Sequence, residues 1–132
     1  MKRPWHQQVP VVSKERRTFN GVVYASGAEA KRAFEHYYLL KSNGRIVYRQ
    51  VEFQLGPDHT YIADFYVDER GRKPGEQWAE EIKGYTGERR FAKIKKLWRK
   101  YGTMPLVVLT PIRGGWKREV IYPNRAPVEN ER

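Results

Sequence analysis

A continuous apolar run near the C-terminus, MPLVVLT at residues 104–110, most limits how this chain can fold. A strand with one face in water alternates apolar and polar residues, whereas a strand covered on both faces is apolar throughout. The run therefore predicts a sheet strand that is covered on both sides. Two segments with helical periodicity, residues 26–41 and 87–101, are predicted to flank this sheet.

Three further strands are predicted between the two helices, at residues 45–55, 60–68 and 76–83. All three are rich in β-branched and aromatic residues and are separated by turn signals, which favours an antiparallel meander. Asn20-Gly21 predicts a tight turn before the first helix, and residues 116–122 predict an edge strand. The order α-β-β-β-α-β predicts an α/β (α+β) fold with a mixed central sheet flanked by helices.

The length of 132 residues matches a single domain. We expect a basic N-terminal arm at residues 1–17, one domain at residues 18–122 and a disordered tail at residues 123–132. No apolar run long enough to span a membrane and no secretory signal is present, so we expect a cytoplasmic protein. The absence of cysteine excludes disulfides and thiolate zinc sites.

The charge of the chain points to a polyanionic partner. Lys and Arg number 26 against 15 Asp and Glu, which gives a formal net charge of +11. The predicted second helix carries a single acid, Glu88, although solvated helices normally mix both signs. Such a basic face is typical of phosphate binding. The residues predicted to bind DNA are Arg89, Lys93, Lys95, Lys96, Arg99 and Lys100 of this helix, and Arg16 and Arg17 of the arm.

Charged residues also occur where buried strands are predicted. In WAEEIKG, Glu81 and Lys83 point to one side of the strand and Glu80 to the other. In YIADFYVD, Asp64 is a poor strand former between apolar residues. If the two strands pair, Asp64 lies next to Glu81, and two adjacent carboxylates favour a cation such as Mg²⁺. The alternative is a surface Glu81–Lys83 ion pair, which contributes little.

Strand periodicity also assigns faces around the aspartate. Tyr61, Ala63, Phe65 and Val67 are predicted to share one face of their strand, and Asp64 the other. On the preceding strand, polar side chains line one face, and they either extend the site or form the wet face of an edge strand. These residues are Gln50, Glu52 and Gln54.

The first helix adds one more acid. Ser26 is predicted to cap this helix, with Glu29 completing a capping box. At about 100° per residue, Glu29 also falls on the apolar stripe with Ala33 and Tyr37. Glu29 therefore caps the helix, reaches a site on the sheet beneath it, or does both.

The segments FNGVVYASGAEAKRAFEHY, YIADFYVD and WAEEIKG resemble the PD-(D/E)XK nuclease superfamily. Within it, they are most similar to small, mostly phage-encoded endonucleases related to Holliday-junction resolvases, over residues 18–110. The resemblance implies a restriction-endonuclease-like αβββαβ core and a DNA endonuclease that requires Mg²⁺, with Mn²⁺ as a substitute. It also implies a homodimer that acts in a bacterial host on branched DNA, such as the four-way junctions of DNA recombination.

The resemblance also implies residue roles. Asp64, Glu81 and Glu29 would bind the metal, and Lys83 would orient or activate the attacking water.

The chain departs from the pattern at Ala63, where the superfamily has proline. A Pro-Asp pair occurs instead at residues 57–58, but its turn chemistry explains Asp58 without a site, which favours Asp64. A register shift of one residue would exchange Glu81 for Glu80.

Two other functions fit the same residues. One is a basic nucleic-acid-binding protein without catalysis, in which the carboxylates are structural. The other is a single-strand or restriction-type nuclease with the same chemistry and another substrate.

Overall fold

A computed structural model describes residues 13–37, 45–69, 76–83 and 88–124, except for the side chains of residues 88–90. This part of the chain contains two α-helices and seven β-strands. In chain order they are β1 (Thr18–Phe19), β2 (Val22–Val23), α1 (Gly27–Glu35), β3 (Ile46–Gln54), β4 (Thr60–Asp68), β5 (Gln77–Ile82), α2 (Glu88–Tyr101), β6 (Leu106–Ile112) and β7 (Gly115–Ile121). None of the helices described is long and apolar enough to cross a membrane.

Five strands form one mixed sheet in the order β3-β4-β5-β6-β7, beside a two-stranded sheet of β1 and β2. β3, β4 and β5 are antiparallel neighbours, which confirms the predicted meander. β5 and β6 are parallel, and α2 connects them in the sequence. β7 pairs antiparallel with β6 at the edge of the sheet, as predicted. The fold is a mixed α+β arrangement.

The helices cover opposite faces of the sheet, as alternate residues of β6 show. Leu106 and Val108 pack in one buried cluster with Trp98 of α2. Val107 packs in a second cluster with Ala33 of α1. The three β6 residues are at most 3% exposed, so this strand is covered on both sides, as its apolar run predicted.

The predicted alternation of side chains along β4 is wrong at one point. Ala63 packs in the α2 cluster, but Phe65, two residues later, packs in the α1 cluster. A regular strand would place both on the same face. The alternation of side chains between the two faces of the sheet is therefore interrupted at the intervening residue, Asp64. Below, this interruption is called the change of faces.

β3 changes faces at the facing position. Val47 packs in the α1 cluster, whereas Phe53, six residues later, packs against the α2 cluster. The β3–β4 register would place Gln50 opposite Asp64, and this row is missing from the ladder although the rows on both sides are present. Gln50 has a φ of 54°, in the left-handed region that non-glycine residues seldom adopt. A local backbone distortion at Gln50 thus accompanies the change of faces.

The local signals around α1 are confirmed where they lie in the described residues. Asn20 and Gly21 have φ values of 53° and 80° in the turn between β1 and β2. Ser26 caps α1, because its side chain accepts a hydrogen bond from the backbone N–H of Glu29 at 3.1 Å. The α-helix ends at Glu35, and residues 38–44, which the prediction assigned partly to this helix, lie outside the described residues.

The two ends of the chain lie mostly outside the described part. Residues 1–12 of the predicted arm and 125–132 of the predicted tail belong to the undescribed ranges. Of the arm, residues Glu15–Arg17 form a 3₁₀ turn. Of the tail, Asn124 donates a backbone hydrogen bond to the carbonyl of Arg99 in α2 at 2.7 Å.

Candidate functional site

Asp64 lies where β4 and β5 separate. The last paired row between these strands joins Phe65 to Glu80. Beyond it, the backbone N–H of Ile82 is not bonded to β4 backbone but donates to Oδ2 of Asp64 at 2.7 Å. A carboxylate in the middle of a strand thus replaces a ladder hydrogen bond, which explains why an aspartate is tolerated there.

Glu29 faces Asp64 from the first turn of α1. Its side chain is only 8% exposed, and no hydrogen bond to its carboxylate is formed within the described residues. Burial and the negative charge of Asp64, opposed by the charge of Arg49, together raise the pKa of the Glu29 carboxyl to about 7. Burial also raises the pKa of Asp64 to about 6, although the N–H of Ile82 and the charge of Arg49 oppose this shift. The structure therefore brings two predicted site residues together in a partly desolvated place.

Arg49 of β3 is a member of this cluster that the sequence analysis did not identify. Its guanidinium carbon lies 4.7 Å from the ring centroid of Tyr24, and its charge acts on both Glu29 and Asp64. Its side chain is exposed. Regular alternation would place Arg49 on the same face as Phe53, so the change of faces at Gln50 hid its position from the sequence.

Glu81 lies at the same end of β5 and is held by a tyrosine from β4. The hydroxyl of Tyr61 donates a hydrogen bond to Oε1 of Glu81. Burial, the charge of Glu81 and this hydrogen bond, together with the charge of Asp64, raise the pKa of Tyr61 well above its ordinary value, so the phenol stays protonated. Tyr61 therefore contacts one predicted metal ligand, Glu81, and lies close enough to a second, Asp64, for its charge to act on the phenol. Tyr61 is the second residue of the site that the sequence analysis missed.

Lys83 directly follows β5. Its backbone N–H donates to the carbonyl of Leu109 in β6 at 2.8 Å, which anchors the chain where β5 ends. Lys83 is partly buried, two residues after Glu81. Glu81 and Lys83 thus lie at the end of β5, where this strand separates from β4.

Glu80 has a different environment from Glu81. It is 0% exposed, and its carboxylate accepts hydrogen bonds from Arg32 at 2.9 and 2.6 Å, from His36 at 2.9 Å and from Trp78 at 2.9 Å. Burial alone would raise the pKa of Glu80, but the hydrogen bonds from Arg32 and His36 outweigh burial and lower it to about 2. A carboxylate with this many fixed donors is a structural ion-pair partner, which favours Glu81 over Glu80 as the site residue.

The residues that the sequence left open on β3 and in the following turn are all exposed. Asp58 is exposed in the turn between β3 and β4, which favours Asp64 as the aspartate of the site. Gln50, Glu52 and Gln54 are also exposed, as expected for the wet side of an edge strand. Gln54 donates a hydrogen bond to the carbonyl of Gly56 at 2.6 Å, which is a turn contact.

Comparison of the chain with protein-family models, with curated proteins and with solved structures gave no match. The function must therefore be argued from the chemistry of the site itself.

The carboxylates of the candidate site suit a hard divalent cation only if water and substrate supply its remaining ligands. Among the described residues, no group of three or more His, Asp or Glu side chains is arranged to hold a metal ion. Mg²⁺, however, is commonly bound by one or two carboxylates, with water and substrate phosphate as its remaining ligands. The Glu29 and Asp64 carboxyls lie close enough for the charge of Asp64 to raise the pKa of Glu29, and a cation would relieve this repulsion.

The predicted DNA-binding residues of α2 divide into two kinds. Lys93, Lys96, Arg99 and Lys100 are exposed. Lys95 is partly buried and forms a salt bridge with Glu119 of β7 at 2.9 Å, so the expectation of a helix without counter-charges is wrong at this position. The side chain of Arg89 lies outside the described part of the molecule. Of the arm residues, Arg16 is exposed and Arg17 is partly buried.

Proposed function

We propose that this protein is a divalent-metal-dependent DNA endonuclease of the PD-(D/E)XK type. The observation that carries the proposal is the proximity of the Glu29 and Asp64 carboxyls, together with the hydrogen bond that Asp64 accepts from the N–H of Ile82, the residue between Glu81 and Lys83. Three elements, α1, β4 and β5, thus supply the acids, and the lysine directly follows β5. The element order from α1 to β6, which is α-β-β-β-α-β, supports a restriction-endonuclease-like core.

The residues have separate tasks in this proposal. Asp64, Glu81 and Glu29 would hold Mg²⁺, which supplies a Lewis acid and lowers the pKa of bound water. Tyr61 keeps the Glu81 carboxylate in one orientation through its hydrogen bond. Lys83 brings a positive charge that stabilises the negative charge developing on the phosphate during hydrolysis.

The substrate follows from charge and from the family resemblance. A net charge of +11 and the exposed Lys and Arg side chains of α2 support binding to the DNA backbone. We propose branched DNA, such as a four-way junction, as the substrate. We also propose a homodimer, because resolvases with this architecture cut two strands together.

Cleavage of a labelled four-way junction, a matched duplex and a single strand tests the function. Each substrate is incubated with Mg²⁺, with Mn²⁺ and with a chelator. We expect metal-dependent cutting that Asp64→Asn and Lys83→Ala reduce by at least about 100-fold, since both remove groups that act on the reacting phosphate. Asp58→Asn is the matched control, because it makes the same change in an exposed turn.

Three results would change this conclusion. Tight, chelator-resistant DNA binding without cutting of any substrate would support the alternative, a basic nucleic-acid-binding protein in which the carboxylates are structural. Equal loss of activity in Asp58→Asn and Asp64→Asn would contradict the location of the site. Cutting of duplex or single strand in preference to the junction would support the proposed nuclease activity and contradict the proposed substrate.

A further inference from the structure

A cavity of about 360 Å³ lies beside the candidate site, on the face of the sheet that α1 covers. The turn of the β1–β2 hairpin, the end of α1 and the first half of β3 form its walls. The side chains that matter for its chemistry are Phe19, Asn20, Tyr24, Tyr37, Arg45 and Arg49. Its volume is within the range of about 300–1,000 Å³ that is usual for ligand pockets.

The lining combines aromatic rings with positive charge. Phe19 and Tyr37 pack edge to face with ring centroids 5.7 Å apart, and Tyr37 is 40% exposed. Arg45 and Arg49 provide two cations, and none of the described residues that line the cavity is acidic. Aromatic rings next to basic side chains are the usual means of binding unpaired nucleobases, since every base has a flat face that stacks.

The two arginines are held differently. Arg45 forms an ion pair with Glu69, and its guanidinium lies 5.0 Å from the ring centroid of Trp78, so its charge is already partnered. Arg49 is exposed, lies against Tyr24 in the cavity wall, and acts on the pKa values of Glu29 and Asp64. Arg49 therefore borders both the cavity and the acid cluster formed by Glu29 and Asp64. A ligand bound in the cavity would lie next to the candidate site.

Asn20 adds a group that can recognise an edge of the occupant. It is exposed in the hairpin turn with a φ of 53°, a conformation that asparagine tolerates better than most residues. Its amide offers both donors and acceptors, as a base edge requires. The cavity thus offers aromatic rings for stacking, a positive charge and a side-chain amide that can form hydrogen bonds with the edge of a base.

We propose that this cavity binds one unpaired nucleobase of the DNA strand, next to the phosphodiester that the acid cluster cleaves. The inference rests on the proposed function and adds that the nucleotide beside the cut is unpaired in the bound DNA, either from the start or because binding extrudes its base from the duplex. The phosphate of that nucleotide contacts Arg49, and its base stacks against Tyr37.

Binding to a short duplex with one bulged nucleotide tests the proposal. The bulge carries 2-aminopurine in one duplex and an abasic nucleotide in the other. Asp64→Asn protein is used in chelator, so that cleavage does not interfere. We expect quenching of the 2-aminopurine fluorescence and at least about fivefold tighter binding of the base than of the abasic bulge, the lower end of what base–aromatic stacking contributes.

Variants in the same Asp64→Asn background locate the binding. Tyr37→Ala removes an exposed ring and should bring the ratio of the two affinities to about one. Asn20→Gly removes the amide while keeping the left-handed backbone and should reduce the ratio. Tyr48→Ala is the matched control, because Tyr48 is 46% exposed, stacks on Tyr66 at 5.5 Å and does not line the cavity.

The outcomes separate this inference from the proposed function. Equal affinity for both bulges without quenching, or a ratio that survives both Tyr37→Ala and Asn20→Gly, overturns the base-binding cavity even if the wild type cleaves DNA. The second result is also expected if another segment of the chain fills the cavity. A ratio that Tyr37→Ala abolishes, Asn20→Gly reduces and Tyr48→Ala leaves unchanged supports the cavity even if no cleavage is found, in which case the proposed catalysis fails and base binding remains.

Discussion

At the scale of single residues, Glu80 and Glu81 of β5 are adjacent and lie in opposite environments. Glu80 is fully buried among Arg32, His36 and Trp78, whereas Glu81 is partly buried and accepts a hydrogen bond from Tyr61. The same amide substitution should therefore affect stability at one position and activity at the other.

Glu80→Gln should lower the free energy of unfolding by about 3 kcal/mol, because it removes the fully buried charge that pairs with Arg32 and His36 and leaves Arg32 with Glu35 as its remaining ion-pair partner. Glu81→Gln should change stability by much less and should abolish metal-dependent cleavage. Urea unfolding and junction cleavage, measured on both variants, check this contrast. Loss of cleavage in a Glu80→Gln protein that unfolds like the wild type would exchange the roles of the two residues.

The pH dependence of stability follows from Glu29, whose pKa rises to about 7 in the folded protein. A raised carboxyl pKa means that the folded state binds the proton more tightly than the unfolded state. The contribution of the protonated Glu29 carboxyl to the free energy of unfolding is fully present below the ordinary pKa of 4.5 and is lost as the pH rises through about 7. In chelator, Glu29→Gln should therefore match the wild type near pH 4 and exceed it by up to about 3 kcal/mol at pH 8.

Urea unfolding between pH 4 and pH 8 measures this difference. Groups distant from Glu29 titrate equally in both proteins, so the difference between wild type and Glu29→Gln reports on this carboxyl and on its charge interaction with Asp64. A difference that does not change with pH would mean that Glu29 is not desolvated beside Asp64.

At the scale of elements, β3 and β4 both change faces at the row of Gln50 and Asp64. This change brings Arg49 to the face of α1, where it acts on Glu29. It also leaves Asp64 free to accept the hydrogen bond of Ile82 from β5. The distortion is thus part of how the site is assembled, and it depends on the left-handed backbone at Gln50.

Gln50→Gly should keep or slightly increase stability, since glycine adopts a positive φ without strain. Gln50→Val should destabilise the fold by about 1–3 kcal/mol and reduce cleavage, because a β-branched residue resists this conformation. Glu52→Val is the control, because Glu52 lies on the same strand as Gln50, is exposed and is regularly paired with Ile62 of β4. Equal effects of valine at both positions, in urea unfolding, would exclude a special role for the distortion.

At the scale of the whole molecule, only some of the Lys and Arg side chains are exposed for binding a polyanionic partner. Several cations are already engaged in the fold: Arg32 with Glu80, Arg45 with Glu69 and Lys95 with Glu119. The exposed cations of α2 include Lys96 and Arg99. Net charge alone therefore overestimates the number of phosphate contacts.

Lys96→Ala and Lys95→Ala compare an exposed and an ion-paired lysine one residue apart on α2. If Lys96 contacts a phosphate, its removal should lower the slope of log K against log salt concentration by about 0.9. Lys95→Ala should leave this slope nearly unchanged. Junction binding of both variants from 50 to 200 mM salt, about the range in which such contacts lose affinity, checks the prediction. Equal slopes for wild type and Lys96→Ala would contradict the proposed DNA-binding face.

The sequence by itself determined the order of helices and strands, the covering of β6 on both faces and the cap of α1. These features depend on local signals, namely apolar runs, turn residues and a capping serine, which act through the backbone of a few neighbouring residues. It also singled out Glu29, Asp64, Glu81 and Lys83, because charged side chains are unusual in buried periodic segments.

Only the tertiary structure decided between Glu80 and Glu81, and only it identified Arg49 and Tyr61. The pairing of Glu80 with Arg32 and His36 joins residues more than 40 positions apart, so no local pattern records it. The position of Arg49 depends on one left-handed residue, Gln50, whose conformation overrides the alternation that its strand predicts. Long-range contacts and a local departure from regular geometry are the two kinds of information that periodicity does not contain.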